Sequence, residues 1–143
     1  MDTSKQVQVL QMAYAGALAD AVLQMGKEGV LETVTARKRQ EQLSTGKMRA
    51  AQFGITKPEE AFLKLYEIFG CSNWNITADP KGFTARTSTC MLCAMAKKIG
   101  APSPCNLYCL NPMEGIVKGI NTDSDYKVEE TLWDGTKCIV RVS

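Results

Sequence analysis

Residues 74–89 have the sequence WNITADPKGFTARTST, and this stretch decides the fold because the hydrophobic period changes here. Apolar and polar side chains alternate on both sides of Asp79-Pro80-Lys81-Gly82, which predicts two strands joined by a turn. Proline presets φ and glycine can adopt a positive φ, so the four-residue segment suits a tight turn. We therefore expect a β-hairpin in the middle of the chain.

The chain before this hairpin has helical patterns. Apolar residues recur at steps of three and four over Val7–Met25, which predicts one amphipathic helix. A second helix is expected over about Gly29–Leu43 and is closed by Ser44-Thr45-Gly46, although residues 47–54 are also compatible with helix. In this second stretch Val30, Leu31 and Val34 are apolar, and the remainder carries the charged residues.

A third helix is marked at both ends. Thr56 and Glu59 match a capping box, in which the hydroxyl bonds forward and the carboxylate bonds back. Pro58 suits a first turn because its missing N–H is not needed there. Gly70 is expected to end the helix.

After the hairpin, two helices and a second hairpin are expected. Cys90–Ile99 is a short helix ended by Gly100, and a further helical stretch runs from about Cys105 to Gly119, with a break at Pro112 left open. Strands over Tyr126–Trp133 and Thr136–Val142 flank a two-residue turn, Asp134-Gly135.

This order of elements predicts an α+β domain. The two hairpins supply an antiparallel four-stranded sheet, covered on one face by helices. We expect a single domain over residues 1–143, with a helical half at 1–70 and a hairpin–helices–hairpin half at 71–143. The first helix could pack on its own domain or on a second copy, which leaves a homo-oligomer open.

Composition restricts the function classes. The chain has 143 residues, 45% hydrophobic and 22% charged, with a net charge of +2. This balance argues against a nucleic-acid partner, and no segment approaches the ~18 apolar residues of a membrane span. We expect a cytoplasmic protein with reduced cysteines, because no export signal is recognisable.

The cysteines are the main candidates for chemistry, because the chain has no histidine. Histidine-based dyads and histidine-ligated metals are thereby excluded. Four of the six cysteines fall within twenty residues, at Cys90, Cys93, Cys105 and Cys109. The other two, Cys71 and Cys138, lie on either side of this group.

Three interpretations of this group stay open. Free cysteine is among the most buried residue types, so the thiols could simply pack. Cys90, Cys93, Cys105 and Cys109 could form a four-thiolate site for zinc or an iron–sulfur cluster. A thiol at a helix start, such as Cys90 or Cys105, could instead be reactive, because a helix N-terminus stabilises a thiolate.

The C-terminal part of the chain adds a family resemblance. Cys109, Thr131, Gly135 and Cys138 follow a pattern in which a cysteine ends a loop or helix, a strand carries a threonine, and a cysteine after a glycine turn begins the last strand. In this pattern the chain resembles the L-2-amino-thiazoline-4-carboxylic acid hydrolase family and the related vinyl-reductase-type small-molecule-binding domains. The similarity covers roughly the last fifty-five residues.

The resemblance implies an α+β domain that encloses a small-molecule ligand. Hydrolase activity would open a thiazoline ring, with water added to an amidine-like carbon, a base to activate the water and a donor for the leaving nitrogen. A cysteine thiolate, Glu130 or a bound metal could serve in these roles. We therefore take Cys109, Cys138 and Glu130 as candidate catalytic residues, and a binding module without turnover as the alternative.

Overall fold

The computed structural model describes all 143 residues and confirms the α+β class. Three helices come first and are followed by a hairpin, three helical segments and two further strands. Their bounds are α1 (Thr3–Lys27), α2 (Leu31–Gln52), α3 (Glu60–Phe69), β1 (Asn75–Asp79), β2 (Gly82–Thr87), α4 (Met91–Lys98), a π-helical segment (Asn106–Leu110), α5 (Asn111–Ile120), β3 (Tyr126–Glu130) and β4 (Cys138–Val142). No helix has a stretch of the length and apolarity needed to cross a bilayer.

The four strands form one antiparallel sheet in the order β1-β2-β4-β3. The two hairpins are joined because β2 pairs directly with β4, with Ala85 opposite Val140. Alternate residues of these central strands are buried on one face of the sheet. They form one core with Leu110, which directly precedes α5, and with Met113, Ile116 and Val117 of α5. The helices therefore cover one face of the sheet, as the sequence predicts.

Helix α5 crosses α2 with their backbones in contact. A Cβ atom built on Gly46 would overlap the Gly115 carbonyl, and one built on Gly115 would overlap the Gln42 carbonyl. Gly119 meets the backbone of Lys47 in the same way. Glycine is required at these three positions because no side chain fits between the helices.

Ion pairs reinforce the same crossing. The buried Glu114 carboxylate of α5 pairs with Arg39 of α2 and lies 2.9 Å from Lys118 Nζ. Arg39 also donates to Asn111 Oδ1 at 3.2 Å. Burial would raise the pKa of Glu114, but hydrogen bonds from Arg39 and Lys118 outweigh it and hold that pKa below its usual value. The carboxylate therefore stays charged at neutral pH.

A second, smaller core lies between α1 and α4. Ala19 and Val22 pack against Leu92 and Ala96, so the C-terminal half of α1 contacts its own domain. The N-terminal half of the helix leaves apolar side chains such as Leu10 exposed. The homo-oligomer stays a prediction.

The predicted end of the second helix at Ser44-Thr45-Gly46 is wrong, because α2 continues to Gln52. The hydroxyls of Ser44 and Thr45 donate to the Glu41 carbonyl at 3.0 and 2.7 Å, which places both side chains along the helix. Gly46 does not end the helix and instead allows the approach of α5.

The carboxylate that bonds back to the segment before α3 belongs to Glu60 and not to Glu59. Its Oε1 atom accepts from the backbone N–H groups of Thr56 and Lys57, both at 3.0 Å, and from the Thr56 hydroxyl at 2.9 Å. The helix accordingly begins at Glu60, three residues later than the first helical position, Lys57, that the capping box predicts. Gly70 ends it with φ +68°, as expected.

The predicted two-residue turn at Asp134-Gly135 is also wrong. β3 ends at Glu130 and β4 begins at Cys138, so a longer loop joins them. Glu130 Oε2 organises this loop by accepting the N–H groups of Thr136 and Lys137, both at 3.0 Å. The Glu130 side chain, and not a tight two-residue turn, thus shapes the connection between β3 and β4.

The glycine contacts between α2 and α5 give a stability prediction. Gly115→Ala should lower the free energy of unfolding by about 3 kcal/mol or more, because the new methyl group meets backbone that cannot move aside. Gly16→Ala is the matched control, since Gly16 has open space around it and should gain ~0.5–1 kcal/mol from better helix propensity. Urea unfolding followed by circular dichroism measures both. An equal effect of the two substitutions would contradict the close helix contact.

Candidate functional site

A cavity of about 260 Å³ lies between α1, α2, α3 and the π-helical segment. Its wall is mainly apolar and rich in aromatic rings. The aromatic lining residues are Tyr14, Phe53, Tyr66, Phe69, Trp74 and Tyr108. Tyr14 stacks on Phe69 with ring centroids 5.2 Å apart, which joins α1 to α3 at the edge of the cavity.

One stripe of α2 supplies the polar part of the wall. Lys38, Gln42, Arg49 and Phe53 line the cavity at spacings of four, seven and four residues, which places them on one side of the helix. The crossing with α5 fixes the rotation of α2, because the glycine contacts allow only one face of α2 to meet α5. The stripe is therefore held toward the cavity by backbone packing.

The π-helical segment explains how Gln42 is held. The Asn111 N–H bonds to the Asn106 carbonyl five residues earlier, and Pro112 has no N–H to offer. The Leu107 carbonyl therefore lacks a donor from its own helix and accepts from Gln42 Nε2 at 3.0 Å. π-Helical turns are frequent at functional sites, and this one shapes the cavity wall.

Two buried polar atoms of residues that line the cavity have no hydrogen-bond partner. Gln42 is only 5% exposed, and its Oε1 atom accepts no hydrogen bond. The Arg49 Nε atom is likewise buried and donates to nothing. An unsatisfied buried polar group costs about 1–3 kcal/mol, so both atoms favour a bound molecule that would pair with them.

The structure brings most of the cysteines together. Cys90, Cys93, Cys105, Cys109 and Cys138 all line a small void of about 20 Å³ beside the main cavity. Cys71, Cys90 and Cys109 also line the main cavity. The proline-containing connection therefore folds so that thiols before and after it meet.

Local contacts place each of these thiols. The Cys90 sulfur caps α4 by accepting the Cys93 N–H at 3.4 Å. The Cys105 N–H donates to the Ser103 hydroxyl at 3.2 Å. Cys109 lies within the π-helical segment, and Cys138 begins β4.

No group of three or more cysteine, aspartate or glutamate side chains is arranged to hold a metal ion. Zinc or iron–sulfur coordination by Cys90, Cys93, Cys105 and Cys109 therefore finds no support in this arrangement.

Burial suppresses ionisation of five thiols. It raises the pKa of Cys71 to about 11 and those of Cys93 and Cys138 to about 12. Burial also raises the pKa of Cys105, and that of Cys109 lies well above its usual value. Since the thiolate is the nucleophile, these five groups are weak nucleophiles at neutral pH and behave as apolar packing.

The three candidate catalytic residues do not form one group. Cys109 and Cys138 line the same small void. Glu130 lies at the end of β3, where its carboxylate binds loop amides, and it lines neither space. An acid–base pair of Glu130 with either cysteine at the cavity is therefore absent from this arrangement.

Sequence reasoning missed Gln42 and Arg49. Both lie in a stretch of α2 so rich in polar residues that no apolar stripe marks its inward face. Pro112 was the available signal, because a proline in a helix leaves an earlier carbonyl without a donor. Identifying Gln42 as the replacement donor requires the packing of α2 on α5.

No family model, curated protein or solved structure matches this chain. The resemblance to the thiazoline hydrolase family stays a prediction.

Thiol reactivity tests the burial of the cysteines. Cys71, Cys93, Cys105, Cys109 and Cys138 should react slowly with iodoacetamide at neutral pH, because their raised pKa values keep them protonated. Their rates should rise as the pH approaches 11, whereas thiols of the unfolded chain ionise near their ordinary pKa of 9.0. Mass spectrometry of peptides after timed alkylation gives each rate, and protein in urea is the control. Reaction of a buried thiol at the unfolded rate at neutral pH would contradict the arrangement.

Proposed function

We propose that the protein binds a small, largely apolar molecule in the cavity between α1, α2, α3 and the π-helical segment. The size supports this, because an engineered cavity of about 150 Å³ already holds a benzene molecule. The cavity here has about 260 Å³, mostly apolar walls and few polar groups, which is the usual character of ligand sites.

The observation that carries the proposal is the unpartnered Gln42 Oε1 atom in this wall. Its own Nε2 atom is fixed by the Leu107 carbonyl, so the amide cannot turn away to find water. An acceptor held in this way favours a ligand with a hydroxyl or N–H group. The ligand would gain both apolar burial and one directed hydrogen bond.

A route into the cavity lies beside α1 and α3. Tyr14 and Tyr66 both line the cavity, yet they are 46% and 39% exposed. Their rings therefore form the rim, where a ligand would enter with little movement of the backbone. Exposed aromatic side chains at such a rim suit an apolar guest.

Binding of a neutral probe tests the proposal. Naphthol should bind saturably and perturb the amide resonances of Gln42, Leu107 and Tyr108, because it combines an apolar body with one hydroxyl donor. Leu65→Trp should weaken this binding at least tenfold, since the larger ring fills the cavity that Leu65 lines. Titration followed by ¹H–¹⁵N correlation spectra measures both effects.

Leu63→Trp is the matched control, because Leu63 lies on the same helix but is exposed and outside the cavity. It should leave the affinity for naphthol unchanged. Equal weakening by the two substitutions, or no saturable binding to the wild-type protein, would overturn the proposal.

Thiazoline hydrolysis is the second candidate function. It is favoured by the position of Cys109, a candidate catalytic residue that lines the cavity. The raised pKa of this thiol argues for a proton donor and against a nucleophile in any such reaction.

Incubation with 2-amino-thiazoline-4-carboxylic acid tests this second function. The hydrolase hypothesis predicts a product heavier than the substrate by one water, detected by mass spectrometry. Cys109→Ser should lower the rate at least tenfold, because a hydroxyl is a weaker acid than a thiol. Product formation no faster than in the protein-free blank would remove the hydrolase hypothesis.

A further inference from the structure

The charges around the cavity are of one sign. Lys38 and Arg49 are the two charged side chains that line it, and no aspartate or glutamate does so. Both side chains are partly exposed, and an anionic group placed beside them would be attracted by their positive charge. The wall therefore favours a negatively charged group on the ligand.

Arg49 is the cation that lacks a partner. Lys38 forms an ion pair with Glu41 at 2.9 Å, in which both side chains are exposed. Arg49 belongs to none of the ion pairs of the protein, and its Nε atom is buried without an acceptor. A guanidinium group is the side chain best shaped to hold a carboxylate, because it can donate two parallel hydrogen bonds.

The positions of Arg49 and Gln42 also limit the length of the ligand. They are seven residues apart on one side of α2, which corresponds to about 10 Å along the helix. Arg49 offers donors and the Gln42 Oε1 atom offers an acceptor. A molecule that satisfies both needs an anion at one end and a donor about 10 Å away.

We propose that the ligand is an apolar monocarboxylate of about this length, whose carboxylate binds Arg49 and whose distal hydroxyl or N–H group donates to Gln42 Oε1. The inference rests on the proposed function, because it assigns a chemical class to the occupant of the same cavity. An eight-carbon acyl chain meets the requirements of length and apolarity.

Octanoate and octanol form a matched pair of probes, because they differ chiefly in the anionic group. The wild-type protein should bind octanoate on the order of 10-fold more tightly than octanol, as expected for charge-assisted hydrogen bonds. Arg49→Gln should remove this preference by weakening octanoate on the order of 10-fold, with a smaller change for octanol. Isothermal titration calorimetry at one fixed salt concentration measures each dissociation constant.

Arg86→Gln is the control variant, because Arg86 is an exposed arginine of β2 outside the cavity. It should bind both probes as the wild-type protein does. Arg49→Lys keeps the charge without the planar fork, and it should retain part of the preference for octanoate. This second variant keeps the test decisive if Arg49→Gln does not fold.

The possible outcomes separate the two proposals. Equal binding of octanoate and octanol by the wild-type protein would overturn the carboxylate inference and leave a neutral apolar ligand. Binding of neither octanoate, octanol nor naphthol would overturn the proposed function itself. A preference for octanoate that survives in Arg49→Gln would place the anion elsewhere and overturn the role of Arg49.

The distal donor has its own test. Octanoate with a terminal hydroxyl group should bind the wild-type protein several-fold more tightly than octanoate, because the hydroxyl reaches Gln42 Oε1. Equal or weaker binding of the hydroxylated acid would overturn this part of the inference. The comparison uses one protein and needs no substitution.

Discussion

The backbone contact between α2 and α5 is the constraint on which the rest of the structure depends. Gly46, Gly115 and Gly119 let the two helices approach without side chains between them. α5 in turn packs on the buried face of the sheet, so this contact fixes α2 relative to the strands. Because helix rotation is set at the crossing, it also decides which residues of α2 face the cavity.

The same crossing connects the fold to the site. Close approach of α2 brings the Gln42 amide to the Leu107 carbonyl, which Pro112 leaves without a backbone donor. The π-helical segment is thereby held in place, and it carries Tyr108 and Cys109 to the cavity. The cost is an unsatisfied Gln42 Oε1 atom in an apolar wall. The proposed ligand would explain this arrangement, because it would donate a hydrogen bond to the Gln42 Oε1 atom.

Much of the fold could be predicted from the sequence, because turns and helix ends are determined by residues that are close together in the chain. The change of period at residues 74–89 gave the first hairpin, and Gly70 and Gly100 end their helices with positive φ angles. The errors lie where a distant group decides the outcome. Gly46 looked like a helix end because its partner, Gly115, is far away in sequence. Glu130 likewise organises the loop between β3 and β4 through its side chain. Turn propensities give no sign of such a side-chain contact.

The site was predictable only in part for the same reason. The meeting of the thiols follows from cysteine spacing around a short connection, and the structure brings five of them to one void. Their protonation depends on burial, which spacing alone does not give. Arg49 and Gln42 stand in a polar stretch whose inward face is chosen by α5, so their role emerges only from packing.

A crystal structure of the protein grown with octanoate tests the central claim most directly. We expect electron density for the acid between α1, α2 and α3, with its carboxylate oxygens at hydrogen-bonding distance from the Arg49 guanidinium group. Density for the acid at another surface, or a cavity filled by its own side chains, would contradict it.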